Sequence, residues 1–143
     1  MSDALKRLRS LTDRISSFEV ARTQNLKDLR TLYDEFEINS DTTNFENIFN
    51  FSAMNLAGIS LQEDTLGEIK TGKYVQIIVI ESTKNGQKAK NINLCYFGRS
   101  DKLEDIKRAS VVEFVLRWRF EKSFRSMQHY FDMININKKS INA

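Results

Sequence analysis

The chain has 143 residues, of which 41% are hydrophobic and 29% charged, and its net charge is +3. This composition allows one modest hydrophobic core, and no stretch approaches the roughly 18 apolar residues of a membrane span. The single cysteine, Cys95, excludes an intrachain disulfide and zinc sites built from several cysteines. The first residues, MSDALKRLRS, lack the apolar segment of a secretory signal. We therefore expect an intracellular protein, cytoplasmic or nuclear, or a virion component if the source is viral, with no membrane partner.

The charges are distributed unevenly along the chain. Residues 1–30 carry seven basic and four acidic residues, a net +3, whereas residues 31–69 carry eight acidic and no basic residues, a net −8. Residues 70–143 carry fifteen basic and seven acidic residues, a net +8. This asymmetry indicates either a basic binding face or acidic and basic regions that face each other within one fold or oligomer. The basic surplus is not concentrated in one run, which favours the second interpretation.

The first predicted element is a long helix with a seam that repeats at alternating steps of four and three residues. A lone helix of about 3.6 residues per turn drifts away from a strict 3.5-residue repeat, so this register indicates a supercoiled partner helix. We predict that residues 1–38 form a coiled-coil helix for oligomerisation. Its partner is a second copy, giving a homodimer, or a related coiled-coil chain. The predicted seam consists of Leu8, Leu11, Ile15, Phe18, Arg22, Asn25, Leu29, Leu32 and Phe36.

Several features of this seam have two interpretations. The polar residues Arg22 and Asn25 either specify the register and the partner, or mark a weak point where the helix bends near Thr23. Bulky residues such as Phe18 and Phe36 fit a two-stranded seam poorly. They leave open a helix that folds back on its own domain. The pattern does not decide between a parallel and an antiparallel seam, or between identical and different partner chains.

Residues 39–143 are predicted to form a small α+β interaction domain. A capping-box pattern at Thr43 and Glu46 predicts a short helix around residues 44–50, although residues 49–53 also suit a strand. Two apolar segments, 73–81 and 90–97, flank an Asn-Gly turn typical of a β-hairpin. The expected cross-strand pairs on one face are Glu81 with Lys90, Val79 with Ile92, Ile77 with Leu94 and Val75 with Tyr96.

The last predicted element is a helix over residues 101–136. Its apolar stripe recurs at steps of three and four residues, and we expect this stripe to lie on the sheet. The predicted fold class is therefore α+β, with a long N-terminal coiled-coil helix followed by a small domain. In that domain an antiparallel hairpin-based sheet packs against the C-terminal helix. The stripe consists of Val112, Leu116, Phe120, Phe124, Met127, Phe131 and Ile134, and it is widened by Val111, Val115 and Trp118.

No catalytic motif withstands inspection. The segment GEIKTGKY at residues 67–74 nearly matches a phosphate-binding loop, but Tyr74 replaces the required Ser or Thr and a strand pattern follows instead of a helix. Cys95 and His129 could form a nucleophile–base pair, but no third group to orient them is visible. The acidic residues lack the spacing of a calcium loop. We predict that the protein is not an enzyme and uses no cofactor or metal.

The C-terminal helix also carries a set of basic residues among aromatic ones, a composition that can bind phosphates and stack on bases. We predict a non-enzymatic assembly protein that oligomerises through the coiled coil and docks into a larger complex through its C-terminal domain. The alternative is a dimeric nucleic-acid-binding accessory protein that uses this basic helix. The candidate nucleic-acid contacts are Lys107, Arg108, Arg117, Arg119, Lys122 and Arg125.

Overall fold

The computed structural model describes residues 2–38, 43–82 and 88–142, including the side chains of all of these except residues 12–17 and 142. The elements are helix α1 at Asp3–Glu35, strands β1 at Ala53–Ala57, β2 at Tyr74–Glu81 and β3 at Lys90–Arg99, and helix α2 at Asp105–Asn142. Short 3₁₀ helices lie at Glu46–Asn50, Glu63–Thr65 and Ser100–Lys102. Helix α2 therefore continues beyond its predicted end at residue 136, and the predicted helix near residues 44–50 is a 3₁₀ helix.

Helix α1 begins and ends at residues with suitable capping chemistry. The Ser2 hydroxyl oxygen accepts a hydrogen bond from the backbone N–H of Leu5, at 3.4 Å, which satisfies one of the free amides of the first turn. At the other end the backbone N–H of Phe36 donates to the carbonyl of Leu32. Glu37 then adopts a positive φ of 53°, a left-handed conformation that terminates helices.

The sheet is antiparallel, with β2 in the centre and β1 and β3 at the edges. Strand β2 carries three fully buried residues, Val75, Ile77 and Val79, which alternate with more exposed ones. This period of two places one face of the sheet in the core. The strand pattern that argued against a phosphate-binding loop is confirmed, since β2 starts at Tyr74.

The predicted hairpin register is correct near the turn and wrong farther away. The predicted turn, residues 84–87, itself lies outside the described residues. Two register irregularities occur along β2 and β3, so that Ile77 lies opposite Cys95 instead of Leu94, and Val75 lies opposite Gly98. Bulges of this kind add an unpaired residue to one strand and increase its twist. The pairs that match the prediction are Glu81 with Lys90 and Val79 with Ile92.

One face of helix α2 packs over the core and covers it. Phe114 and Val115 are fully buried, and the Trp118 indole N–H donates a 2.8 Å hydrogen bond to the carbonyl of Ile48. The predicted placement of the apolar stripe on the sheet is wrong beyond Val112, which lies in the core. Leu116 and Phe120, the next residues of that stripe, remain 39% and 37% exposed. The residues expected only to widen the stripe, including Trp118, also lie in the core.

The C-terminal part of α1 belongs to the same core. Leu29 is fully buried, Leu32 is nearly so, and the Phe36 ring packs on Phe97 of the sheet and Phe114 of α2. The predicted fold class, with a long coiled-coil helix preceding a separate small domain, is therefore wrong. The heptad-spaced residues at this end of α1 are covered by the chain's own sheet and helix instead of a partner helix. The predicted division at residue 38 falls within this core.

Across the described parts of the chain, no helix has the length and apolar character needed to cross a membrane.

Candidate protein-binding surface

Helices α1 and α2 run antiparallel beyond the core. Three contacts define this arrangement. From the first to the third, the residue numbers rise along α2 and fall along α1. Asn25 exchanges hydrogen bonds with Arg117, Arg22 pairs with Glu121, and the Phe18 ring lies 6.2 Å from that of Phe124. The first two contacts use the polar residues of the predicted seam. Their partners are residues of the same chain.

The Arg22–Glu121 ion pair is the most buried charged contact between the helices. The Glu121 carboxylate has no solvent-exposed surface, and it accepts a 2.6 Å hydrogen bond from Arg22 Nε. Arg125 approaches the second carboxylate oxygen at 3.5 Å. The hydrogen bond with Glu121 raises the pKa of the Arg22 guanidinium. A shift of α1 along α2 would deprive the buried carboxylate of the closer of its two cations, so this pair favours one alignment of the two helices.

The helices leave the core at this point, and most of their described large apolar side chains beyond it are exposed. We call residues 3–20 of α1 and 124–142 of α2 the helical arm. A monomeric protein rarely exposes an apolar patch larger than a few hundred Å², and larger patches mark interaction sites. The exposed large apolar residues of the arm include Leu5, Leu8, Leu11, Phe18, Val20, Met127, Tyr130, Phe131, Met133, Ile134, Ile136 and Ile141.

A groove continues this apolar surface onto the body of the protein. It has a volume of about 450 Å³ and lies between α1 and α2. Small side chains such as those of Ala21 and Ala109 leave this space unfilled. Val112, Leu116 and Phe120 also line the groove. These three residues begin the stripe that continues into the arm through Met127 and Phe131. The groove and the α2 part of the arm therefore form one apolar surface.

The predicted seam residues divide into three groups. Leu29, Leu32 and Phe36 lie in the core, and Arg22 and Asn25 bind α2. Leu8, Leu11 and Phe18 lie on the arm with more than half of each side chain exposed. The side chain of Ile15 lies outside the described residues.

The basic residues proposed as nucleic-acid contacts all have partners within the chain. Arg119 donates to the carbonyl of Met54 and to the Asn55 side chain, and it thereby covers the outer edge of β1. Lys122 donates a 2.6 Å hydrogen bond to the carbonyl of Phe49, and burial lowers its pKa. These two cations connect α2 to the first strand and to the 3₁₀ helix before it.

The other four candidates are held in similar ways. Arg117 contacts Asn25, Asp28 and Glu113, and Arg108 pairs with Asp105. The Lys107 ammonium lies 4.7 Å from the centre of the Phe36 ring, and the Arg125 guanidinium lies 4.2 Å from that of Phe49. Cations over aromatic faces and in ion pairs stabilise a fold without any ligand. Nucleic-acid binding by these residues stays a prediction.

The structure separates Cys95 from His129. Cys95 is half-buried on β3, where its thiol lies against the carbonyl of Phe36, and burial raises the pKa of this thiol. Lys107 is the α2 residue that acts electrostatically on Cys95, and His129 lies 22 positions farther along the same helix, about 33 Å away at 1.5 Å per residue. The two side chains therefore form no catalytic pair. No group of three His, Cys, Asp or Glu side chains that could hold a metal occurs among the described residues.

The uncovered face of the sheet is a second, flatter surface. Tyr74 and Tyr96 lie side by side there, with ring centres 6.0 Å apart and each 56% exposed. Gln76 and Asn93 add amide groups beside them. Tyrosine and a low density of charge are typical of protein interfaces, but most of the large apolar residues that are at least half exposed lie on the arm.

Comparison of the chain with protein-family models, with curated proteins and with solved structures gives no match.

The sequence analysis missed the width of the apolar face near the end of α2. Tyr130 and Ile141 lie beside the expected stripe, Met133 and Ile136 lie toward the other side of the helix, and all four are more than half exposed. A signal was present in the lengths of the elements. The predicted 36-residue helix is about 54 Å long, whereas an eight-residue strand spans about 27 Å, so the sheet can cover only half of the helix.

Proposed function

We propose that the protein is a non-enzymatic assembly protein that binds other protein chains through the helical arm. The observation that carries this proposal is the exposed apolar stripe of α2, in which Met127, Phe131 and Ile134 are each more than half exposed. Side chains of this kind are usually buried, and a stripe at steps of three and four residues fits an apolar helix of a partner. The partner is therefore a protein that offers an apolar helical face.

Two further properties support this proposal over catalysis or nucleic-acid binding. The exposed apolar residues of α2 and the groove between the helices form a continuous ridge and groove, a shape suited to helix packing. The six basic residues of the alternative hypothesis are already held by carboxylates, carbonyls and aromatic rings of the same chain. An intracellular setting, cytoplasmic or nuclear, is part of the proposal because the single half-buried cysteine suits a reducing compartment.

The test compares two substitutions that add the same charge to the same helix. Ile134→Asp places a carboxylate in the apolar stripe, whereas His129→Asp places it on a side of the helix away from the stripe. Tagged wild type and both variants are expressed in the source cells, with an untagged copy present. Each tagged protein is then captured from the cell extract, and all proteins retained with it, the untagged copy included, are quantified.

We expect Ile134→Asp to release most of the specifically retained protein, since a buried unpaired charge is strongly unfavourable, and His129→Asp to retain it. Circular dichroism of both purified variants checks that the fold is intact. Equal retention by Ile134→Asp and wild type would overturn the proposal.

A further inference from the structure

The apolar stripe of α2 has two halves of opposite shape, a groove and a ridge. Its first half, with Val112, Leu116 and Phe120, lines a groove of about 450 Å³ that is open on one side. Its second half, with Phe131 and Ile134, projects from the body, and nothing in the described structure covers it. The first half therefore forms a groove that no described side chain fills, and the second half forms an apolar ridge that no described residue covers.

The two halves are complementary in spacing when a second α2 runs in the opposite direction. With the centre of symmetry between Phe124 and Met127, Phe120 lies four residues before the former and Phe131 four residues after the latter. Phe120 of one copy then meets Phe131 of the other, and the symmetry repeats this contact. Leu116 lies beside Ile134 in the same alignment. Contacts of this reciprocal kind define a two-fold dimer interface.

The charges agree with the same alignment. Glu113 lies eleven residues before Phe124, and Lys138 lies eleven residues after Met127, so opposite charges meet at both ends of the interface. Within one chain these two residues are 25 positions apart on one helix, which is about 37 Å at 1.5 Å per residue. They can therefore pair only between copies.

The exposed area is also comparable to that of a small stable interface. Large apolar side chains that are half exposed leave on the order of 60–100 Å² each. The five exposed apolar residues of the α2 part of the arm that lie on the side of the stripe, together with Leu116 and Phe120, then offer roughly 400–700 Å² per copy. Specific stable interfaces bury roughly 600–1,000 Å² on each partner.

We infer that the partner of the helical arm is a second copy of this chain. The C-terminal half of each α2 lies antiparallel in the groove of the other copy. This inference rests on the proposed function, because it names the partner of the surface proposed there. The symmetry places Lys138 of one copy beside Glu113 of the other at each end of the interface.

The experiment measures the solution mass of the intact protein over a range of concentrations by analytical ultracentrifugation. The expected species is twice the chain mass of 16.7 kDa. Glu113→Lys and Lys138→Glu are each expected to weaken the dimer about tenfold, since each replaces two attractive contacts with two repulsive ones. The double variant is expected to regain nearly the wild-type dissociation constant. His129→Asp is the control and leaves it unchanged.

Disulfide trapping gives a second readout of whether the two α2 helices run antiparallel or parallel. In a Cys95→Ser background, a mixture of the single variants Phe120→Cys and Phe131→Cys is expected to form a mixed covalent dimer, whereas neither variant alone does so. A parallel arrangement would give the reverse result.

The outcomes separate this inference from the proposed function. A protein that stays monomeric at all concentrations overturns the second copy as partner, while retention of other proteins through Ile134 would leave the proposed function intact. A dimer that Ile134→Asp dissociates, but whose charge reversals show no mutual rescue, overturns the antiparallel alignment alone.

Discussion

The two ends of the long helices contain similar residues in different environments. Phe114 in the body and Phe131 in the arm lie on the same helix, yet the first is fully buried and the second is 60% exposed. The difference arises from the sheet, which is shorter than the helices and covers only one end of them. An apolar helical residue thus has a structural role where the sheet reaches it, and becomes available to a partner where the sheet ends.

The strongest test of this comparison truncates one phenylalanine in each region. Phe114→Ala is expected to lower the free energy of unfolding by about 3–5 kcal/mol, because it removes buried apolar surface and leaves a cavity. Phe131→Ala is expected to change it by less than about 0.5 kcal/mol in dilute protein, where the arm is solvated. Urea unfolding followed by circular dichroism measures both values. Similar losses in the two variants would mean that the arm belongs to the core.

A second test compares one carboxylate at the base of the arm with one on it. Glu121→Gln keeps the shape of the side chain but removes the charge that Arg22 and Arg125 contact, so we expect a loss of about 1.5–3 kcal/mol. The matched control is Asp132→Asn, an exposed residue that accepts a hydrogen bond from Gln128. Its expected loss is below about 0.5 kcal/mol. Equal and small losses at both positions would show that the ion pair does not hold the helices together.

The smallest expected effect is a pH dependence of the free energy of unfolding, and it arises from residues of the body and not of the arm. Burial raises the pKa of the Cys95 thiol and of the Tyr33 hydroxyl, so folding favours their neutral forms. The stability that these groups contribute is complete below the ordinary thiol pKa of about 8.5, and is lost as the pH rises through the folded-state value. For Cys95 the slope is at most about 1.4 kcal/mol per pH unit. Urea titrations between pH 8 and 10 should show a smaller decline for Cys95→Ala than for wild type, and equal declines would exclude Cys95 as the cause.

Local pattern was a reliable guide where the structure depends on neighbours in sequence. The alternating strand β2 and the hairpin pairs nearest the turn both follow from short-range chemistry. The bulges that displace Leu94 and shift the far end of β3 were not visible in the sequence. An extra residue in one strand depends on how the sheet twists under α2, which is a property of the packed structure.

The heptad repeat of α1 shows where sequence reasoning stopped. The repeat predicts that an apolar partner covers these residues, but it does not say whether that partner is another chain or the chain's own α2 and sheet. The tertiary structure decided this through long-range contacts such as Asn25 with Arg117 and Phe36 with Phe114. Bringing such distant segments together depends on the summed burial of the whole core.

The sequence by itself determined the two long helices, the central strand and the absence of a recognisable catalytic motif. The tertiary structure alone decided which apolar residues the protein covers for itself and which remain exposed. The physical reason is the difference in length between the elements. A strand rises about twice as far per residue as a helix, but β2 has 8 residues and α2 has 38, so the sheet ends long before the helix does.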